Sequence, residues 1–167
     1  TQHDVPILEL WDRDPEVIAC VTDDPTAPQA FIDAVWSEEI AACSDVSCYY
    51  IAELDGRPIG AMQVIDPHLE PTHYWEEIEP NLRAIDIWIG DDRDRNAGHG
   101  RVMMEAVIDR CFADPAVVAI VIDPLASNTE AHRFYRRLGF KVVGRGMFGD
   151  DECLVHLWER ADWRQGN

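Results

Sequence analysis

The chain has 167 residues, of which 47% are hydrophobic, and its 14 basic and 32 acidic side chains give a formal net charge of −18. This length is enough for one buried core, so we expect a single domain over residues 1–167, and no apolar run approaches the about 20 residues of a membrane span. Nucleic acid is not expected as a partner, because an acidic surface repels phosphates.

The N-terminal half is predicted to contain helices, a hairpin and a long loop. Residues 1–4 carry a helix-start pattern that precedes a short helix to about residue 12, and apolar spacing predicts a second helix over residues 28–42. Two β-rich runs flank Asp55-Gly56 and predict an antiparallel hairpin. The next segment, residues 66–81, has three prolines and no clear period, so we expect a loop that serves as a substrate lid.

The C-terminal half alternates strands and helices. Strands are predicted at residues 83–90 and 116–122, helices at 101–112 and 127–138, and a closing hairpin over 140–147 and 153–158. Ser127 and Glu130 have the spacing of a capping box, and Gly139 stands where a helix-ending glycine is expected. This order of elements predicts an α+β domain with a mixed sheet.

The five cysteines are odd in number and lack the spacing of metal ligands. We therefore expect reduced thiols, used as small apolar residues, and no metal site. No leader-like segment precedes the first polar residues, which makes a cytoplasmic location the default expectation. Composition does not decide between a monomer and a homodimer.

A glycine-containing loop lies between the predicted strand at 83–90 and the next helix. It reads Arg95-Asn96-Ala97-Gly98-His99-Gly100. Its glycines and the helix N-terminus can turn backbone N–H groups towards an anion such as phosphate. It lacks the Gly-Lys-Ser/Thr of a nucleotide P-loop and the third glycine of a dinucleotide fingerprint. Taken alone, the loop predicts either an anion site or a plain tight turn.

A second motif lies one strand further along. It reads Asn128-x-x-Ala131-x-x-x-Tyr135-x-x-x-Gly139-Phe140, and its alanine and tyrosine share a helix face. The two motifs together resemble the GNAT superfamily of N-acetyltransferases, over residues 48–158. The resemblance implies the GNAT fold, a mixed sheet flanked by helices, with an antiparallel N-terminal part and a parallel pair at the coenzyme A site. The chain departs from that pattern in lacking a strand before the first helix.

Shorter motifs look like those of aminoglycoside acetyltransferases that modify the 6′-amino group. They are Trp75-Glu76-Glu77, Ile85-Asp86, Asp114-Pro115, Asp123-Pro124, Ser127-Asn128 and Gly139-Phe140. The resemblance implies that acetyl-CoA is the co-substrate and that the glycine loop holds its pyrophosphate. The implied cofactor-binding residues are Ile87, Trp88, Ile89, Arg95, Asn96, Ala97, Gly98, His99, Gly100, Arg101, Asn128 and Tyr135.

Asp86 interrupts an otherwise apolar strand. The strand's three isoleucines share one face, and Asp86 shares the other with Ala84 and Trp88. Burying an unpaired carboxylate is costly, so we expect Asp86 either to form a salt bridge or accept from a loop N–H, or to have a role in function. The resemblance implies that Asp86 takes the proton of the acceptor amine, directly or through a water, and that Tyr135 donates a proton to the departing sulfur.

Acidic and aromatic residues indicate the acceptor. The predicted substrate-binding residues are Trp75, Glu76, Glu77, Glu79, Asp86, Asp123 and Asp150. Carboxylates attract a cation but also raise the pKa of an ammonium group, so we expect most of them to hold the acceptor's other charges. The expected reaction is acetyl transfer to a primary amine of an aminoglycoside or a polyamine-like compound. The alternatives are a siderophore precursor or protein amine as acceptor, or a CoA-binding module without catalysis.

Overall fold

Residues 1–166, the part of the chain that this computed structural model describes, form six α-helices around one sheet. The helices are α1 (Val5–Trp11), α2 (Pro15–Val21), α3 (Trp36–Ala41), α4 (His99–Ala113), α5 (Thr129–Leu138) and α6 (Arg160–Gly166). The strands are β1 (Ser47–Leu54), β2 (Arg57–Ile65), β3 (Leu82–Ile89), β4 (Ala119–Ile122), β5 (Lys141–Phe148) and β6 (Asp151–Glu159). Short 3₁₀-helices occupy Gln2–Asp4 and Asp92–Asp94.

The sheet is mixed, and the place where its two central strands, β3 and β4, separate is called the seam below. Its strand order is β1-β2-β3-β4-β6-β5, and β3 and β4 run parallel whereas the other neighbours are antiparallel. The parallel ladder ends at the pair Ala84 and Val121, while β3 continues beside β2 as far as Ile89. The two central strands therefore diverge beyond this pair. The predicted parallel pair is confirmed.

The two faces of the sheet bury different cores. The isoleucines of β3 pack with α4 and α5 in the largest core, which includes Met104 and Ile108. On the opposite face, Trp88 packs with Trp11 and Trp36 from the N-terminal helices, and a second small cluster surrounds Ala84. The predicted alternation of β3 is confirmed. Asp86 lies between these two clusters.

The N-terminal third differs from the prediction in two helices. Only α3 is helical within the predicted helix at residues 28–42, and α2 was not predicted. Residues 28–35 form turns that Asp12 holds in place. Its carbonyl and carboxylate oxygens accept hydrogen bonds from the backbone N–H groups of Ala30 and Phe31 and from the indole N–H of Trp36. These tertiary bonds outweigh the helical spacing.

Most other predicted elements are confirmed with shifted ends, but the capping box is wrong. Asn128 caps α5, and its side-chain oxygen accepts from the backbone N–H of Ala131 at 3.0 Å. The Ser127 hydroxyl instead donates to Asp23, since the connection after α2 reaches this loop. Gly139 ends the helix as predicted.

The expectation of five reduced cysteines is also wrong. Cys43 and Cys48 form a disulfide, because the turn between α3 and β1 brings their Cα atoms to 4.5 Å. The remaining cysteines, Cys20, Cys111 and Cys153, carry free thiols.

Within residues 1–166, the first elements are the 3₁₀-helix at Gln2–Asp4 and α1, and no strand precedes them. The longest helix, α4, has 15 residues. None of the helices in this part of the chain combines the length and hydropathy of a membrane span.

Candidate active site

A cavity of about 1860 Å³ opens where β3 and β4 diverge. One end is lined by the loop after β3 and by α5, and the other by α2, the loop at residues 66–81 and the tip of the β5–β6 hairpin. The predicted lid therefore forms a wall of this cavity. The seam in the sheet connects the two ends, so a ligand extending along it would touch both.

The glycine loop presents free backbone donors at the first end. Gly98 adopts a φ of +88° at the N-terminus of α4, a conformation that a side chain would strain, and the space that a Cβ at this position would enter is open. Asn96 also has a positive φ, of 58°. Within the described residues, no backbone or side-chain acceptor takes the N–H groups of residues 96–100. These donors, at the positive end of the helix dipole, suit a pyrophosphate.

Arg95 braces the loop rather than offering its charge to the cavity. Its guanidinium donates to the carbonyl oxygens of Ile89 and Gly90 and to the carboxylate of Asp14 at 2.8 Å. Asp14 also caps α2 by accepting from the backbone N–H of Glu16. The end of β3, the glycine loop and α2 are thereby joined. The sequence predicted Arg95 as a cofactor-binding residue and gave no indication of these three partners.

Most of the predicted cofactor residues line the cavity. Trp88 and the isoleucines beside it lie where β3 has lost its ladder partner, so peptide groups facing β4 are available to an amide-containing ligand such as a pantetheine arm. Ala97 and His99 do not reach the cavity wall. The residues that do are Ile87, Trp88, Ile89, Arg95, Asn96, Gly98, Gly100, Arg101, Asn128 and Tyr135.

Asp86 and Gln63 line the cavity, and they belong to a row of polar side chains on one face of the sheet. The strand register aligns Tyr49 of β1, Gln63 of β2 and Asp86 on one face of the sheet. Among residues 1–163, whose side chains the structure describes, none donates a hydrogen bond to the Asp86 carboxylate or forms an ion pair with it. Burial, and secondarily the charge of Asp123, raises the pKa of Asp86 to about 7.

Tyr135 lies on the opposite wall and is buried, with its ring against Phe134 and Phe140. Burial raises the pKa of its hydroxyl, and the charges of Asp86, Cys20 and Asp123 add to this effect. A tyrosine in this state remains protonated at neutral pH. It can therefore donate a proton to a group in the cavity.

The other end of the cavity, where the acceptor is expected, is acidic, but only some of the predicted residues contribute to it. Trp75, Asp123 and Asp150 line the cavity, whereas Glu76, Glu77 and Glu79 are exposed and do not reach it. The acids that sequence reasoning missed there are Asp23, Asp24, Glu39, Glu70 and Asp151, and it also missed Cys20 on α2, Gln63 on β2 and Arg137 on α5.

Two of these acids shape the loop at residues 66–81. Glu70 is buried and accepts from the backbone N–H groups of Thr72 and Tyr74 and from the Thr72 hydroxyl. Asp123 accepts from the Tyr74 hydroxyl at 2.7 Å. Burial raises the pKa of Asp123 to about 6 despite this bond. Among residues 1–166, no group of His, Cys, Asp or Glu is arranged to hold a metal ion.

Comparisons with known proteins identify close relatives of this architecture. Residues 1–148 match the family model of the acetyltransferase (GNAT) domain. The chain is 30% identical over 146 residues to aminoglycoside N(6′)-acetyltransferase type 1 of Klebsiella pneumoniae, covering 86% of this chain and 72% of that protein. A protein of the same name from Serratia marcescens matches equally well.

Comparison with solved structures finds the same family of enzymes. Aminoglycoside acetyltransferase AAC(6′)-Ib in complex with coenzyme A and kanamycin superimposes with a TM-score of 0.80 and 26% identity, covering 99% of this chain and 94% of that one. The complex of the same enzyme with coenzyme A alone gives the same TM-score at 27% identity. An uncharacterized protein from Bacillus halodurans has a TM-score of 0.81 at 17% identity and supports the fold alone.

Proposed function

This chain belongs to the GNAT acetyltransferase family and is an acetyl-CoA-dependent N-acetyltransferase, and from that premise we propose that it acetylates the 6′-amino group of an aminoglycoside. One observation carries the proposal. Asp86 holds an unpaired carboxylate at the seam, between the cofactor end and an acidic acceptor end. The relatives with the same architecture are named as aminoglycoside 6′-acetyltransferases, and one was solved with kanamycin bound.

The cofactor end supports binding of acetyl-CoA in an extended form. The free N–H groups of residues 96–100 bind the pyrophosphate, and the open peptide groups of β3 bind the pantetheine amides. Arg101 and Arg137 line this end of the cavity and attract the phosphates. Acetyl-CoA supplies an activated acyl carbon, which this geometry directs towards Asp86.

The seam supports a direct transfer. A neutral amine of the acceptor attacks the thioester carbonyl carbon, forming the C–N bond, and its proton passes to the Asp86 carboxylate, directly or through a water. The C–S bond then breaks, and Tyr135 donates its phenolic proton to the departing sulfur. With a pKa near 7, Asp86 is matched to proton transfer at neutral pH.

The acceptor end supports a polycation. Asp123 and Asp150 sit at the carboxyl end of β4 and at the hairpin tip, and Glu39 approaches from α3. Trp75 provides a buried aromatic wall suited to a sugar ring. Asp150 and Glu39, whose charges do not contribute to the raised pKa of Asp86, hold ammonium groups remote from the reacting one, whereas Asp123 lies close enough for its charge to reach Asp86.

The test is acetylation of a panel of amines by the purified chain, read by thiol release and by mass spectrometry of the product. The panel contains kanamycin, ribostamycin, a linear polyamine, a siderophore precursor amine and a peptide with a free N-terminus. We expect kanamycin acetylated on the 6′-nitrogen and no reaction with an analogue that carries a 6′-hydroxyl. Preferred turnover of the siderophore precursor or the peptide would overturn the proposal.

Asp86→Asn tests the proton acceptor. We expect kcat to fall by about 10²-fold or more, while coenzyme A binding measured by calorimetry stays within about twofold. Glu9→Gln is the matched control, because Glu9 is an exposed acid outside the cavity. Unchanged turnover in Asp86→Asn would remove Asp86 from the mechanism, and binding of coenzyme A without turnover of any amine would favour a module that has lost catalysis.

A further inference from the structure

The Tyr74 hydroxyl connects the loop at residues 66–81 to the end of β4. It donates to one carboxylate oxygen of Asp123, Oδ2, at 2.7 Å, which leaves the other oxygen for a different partner. Tyr74 is itself fixed from two sides. Its backbone N–H donates to Glu70 at 2.6 Å, and its ring packs on Phe148 with 5.1 Å between centroids and 30° between planes. The hydroxyl is therefore held in place.

Asp123 and Asp86 occupy equivalent positions on the two diverging strands. The last pair of the parallel ladder joins Ala84 to Val121, and each aspartate follows two residues later on the same face. Both side chains line the cavity, and the charge of Asp123 reaches Asp86. Two carboxylates so related resist simultaneous ionisation, and the one with more hydrogen bonds to its anionic form loses its proton first.

We propose that Tyr74 is a positioning residue that makes these two carboxylates unequal: its hydroxyl keeps Asp123 as the charged anchor for the acceptor's ammonium groups and leaves Asp86 as the carboxyl that takes the proton. Among the side chains described, those of residues 1–163, Tyr74 donates to Asp123, whereas none donates to Asp86. The assignment of the two roles rests on the proposed function. The inequality itself does not.

The other titratable groups around the pair do not produce this difference. Burial raises the pKa of each thiol and phenol that faces the two carboxylates, so these groups are neutral at pH 7. They are Cys20 of α2, Tyr49 of β1, Tyr135 of α5 and Cys153 of β6, and the acids that complete the surroundings are Asp23, Glu39, Asp150 and Asp151. None of the arginine, lysine or histidine side chains described here forms an ion pair with either aspartate.

Tyr74→Phe is the decisive variant, because it removes the hydroxyl and keeps the ring on Phe148. Carbon-13 NMR titration of the aspartate carboxyls, assigned with Asp86→Asn and Asp123→Asn, follows each group in the free protein. We expect the Asp123 midpoint to lie below that of Asp86 in the parent chain. In Tyr74→Phe it should rise by about one pH unit, so that the order is lost. Tyr50→Phe is the control, because the Tyr50 hydroxyl accepts from Arg110 outside the cavity.

Steady-state kinetics with kanamycin give the second readout. If Tyr74 acts on Asp123, KM for kanamycin in Tyr74→Phe should rise about fivefold at pH 6, where more Asp123 is protonated. At pH 8, KM and kcat should both stay within about twofold of the parent values. A general structural defect would instead lower kcat at both pH values.

An Asp123 midpoint that does not move in Tyr74→Phe, or an Asp86 that ionises before Asp123 in the parent chain, would overturn the inference. The titration needs no acceptor. If no aminoglycoside is acetylated, the proposed function fails while the inequality of the two carboxylates is still decided.

Discussion

Asp86 illustrates how one residue can be placed at a cost to the fold. Its carboxylate lies between apolar clusters without a hydrogen bond or ion pair from the side chains of residues 1–163, and burial raises its pKa to about 7. The folded chain therefore binds a proton there that the unfolded chain has released, between its ordinary pKa and about 7. In this window stability falls as pH rises, because ionising the carboxyl opposes folding.

The neutral variant Asp86→Asn should consequently stabilise the fold at high pH. At pH 8 we expect the free energy of unfolding, measured by urea denaturation, to exceed that of the parent by about 1–3 kcal/mol. At pH 5, where Asp86 is protonated in the folded parent chain but ionised in the unfolded chain, the difference should be smaller, and it should disappear only below the ordinary aspartate pKa of about 3.9. An equal effect at both pH values would mean that packing, rather than charge, accounts for it.

Individual site residues differed in how far the sequence could predict them. Period-2 alternation placed Asp86 on the correct face of β3, since a regular strand fixes the direction of each side chain. Glu76, Glu77 and Glu79 were predicted in the cavity because of their density, yet loop conformation depends on bonds such as that of Glu70 with Tyr74. Glutamate density and periodicity do not indicate which glutamate makes such a bond.

At the scale of elements, the N-terminal helices were the least predictable. Asp14-Pro15 is a helix-start signal, with the Asp14 carboxylate capping α2 and Pro15 in its first turn, and it could have identified α2. By contrast, nothing in residues 28–35 indicates that Asp12 would capture their backbone. The hairpin at Asp55-Gly56 was predictable because its turn residues are local determinants.

A buried histidine pair connects α5 to β6 behind Tyr135. His132 Nδ1 and His156 Nε2 are 2.9 Å apart, and His132 Nε2 faces the carbonyl oxygen of Ala126. The carbonyl can only accept, so His132 donates to it from Nε2 and accepts from His156 at Nδ1. His156 Nδ1 is then a buried acceptor without a partner among the described residues.

This chain of donors predicts strong coupling between the two histidines. Replacing His132 alone with Leu should lower the free energy of unfolding by about 2–4 kcal/mol at pH 7, because His156 loses its remaining hydrogen bond. Replacing both with Leu and Val should recover much of that loss, since no buried polar nitrogen remains. Denaturation of the single and double variants measures this, and additive losses would contradict it.

The pH dependence of the pair has the opposite sign from that of Asp86. Burial lowers the pKa of His156 to about 4. The unfolded chain binds this proton first, so the pair's contribution to stability is present above the ordinary pKa of about 6.5 and is lost as pH falls towards 4. The double variant should lack that acid-side loss.

At the scale of the whole molecule, the net charge is −18, and basic and acidic side chains lie at different ends of the cavity. Arg101 and Arg137 line the end of the cavity that we propose for coenzyme A, whereas Asp123 and Asp150 line the end that we propose for the acceptor. The long-range field of the chain attracts a polycation, and the local arginines offset that field where an anion must bind. Composition alone could not distinguish this arrangement from an acidic surface that serves solubility.

Attraction of this kind is screened by salt. We expect KM for kanamycin to rise about fivefold or more between about 50 mM and about 300 mM potassium chloride, while kcat changes less than about twofold. A monoamine acceptor should respond much less, because fewer charges are screened. Initial rates at constant pH measure both, and a KM for kanamycin that is insensitive to salt would contradict the expectation.

The divergence of β3 from β4 also bears on how much folded enzyme a cell contains. Peptide groups of β3 beyond Ala84 have no ladder partner on the β4 side, so they are open to hydrogen bonding by a ligand that carries amides. A ligand that binds the folded chain alone stabilises it by mass action, by about 2.7 kcal/mol at a hundred times its dissociation constant. With acetyl-CoA placed in the seam as proposed, we expect the resistance of this enzyme to unfolding and proteolysis to follow the supply of this acyl donor, which would pair with β3 as a neighbouring strand does.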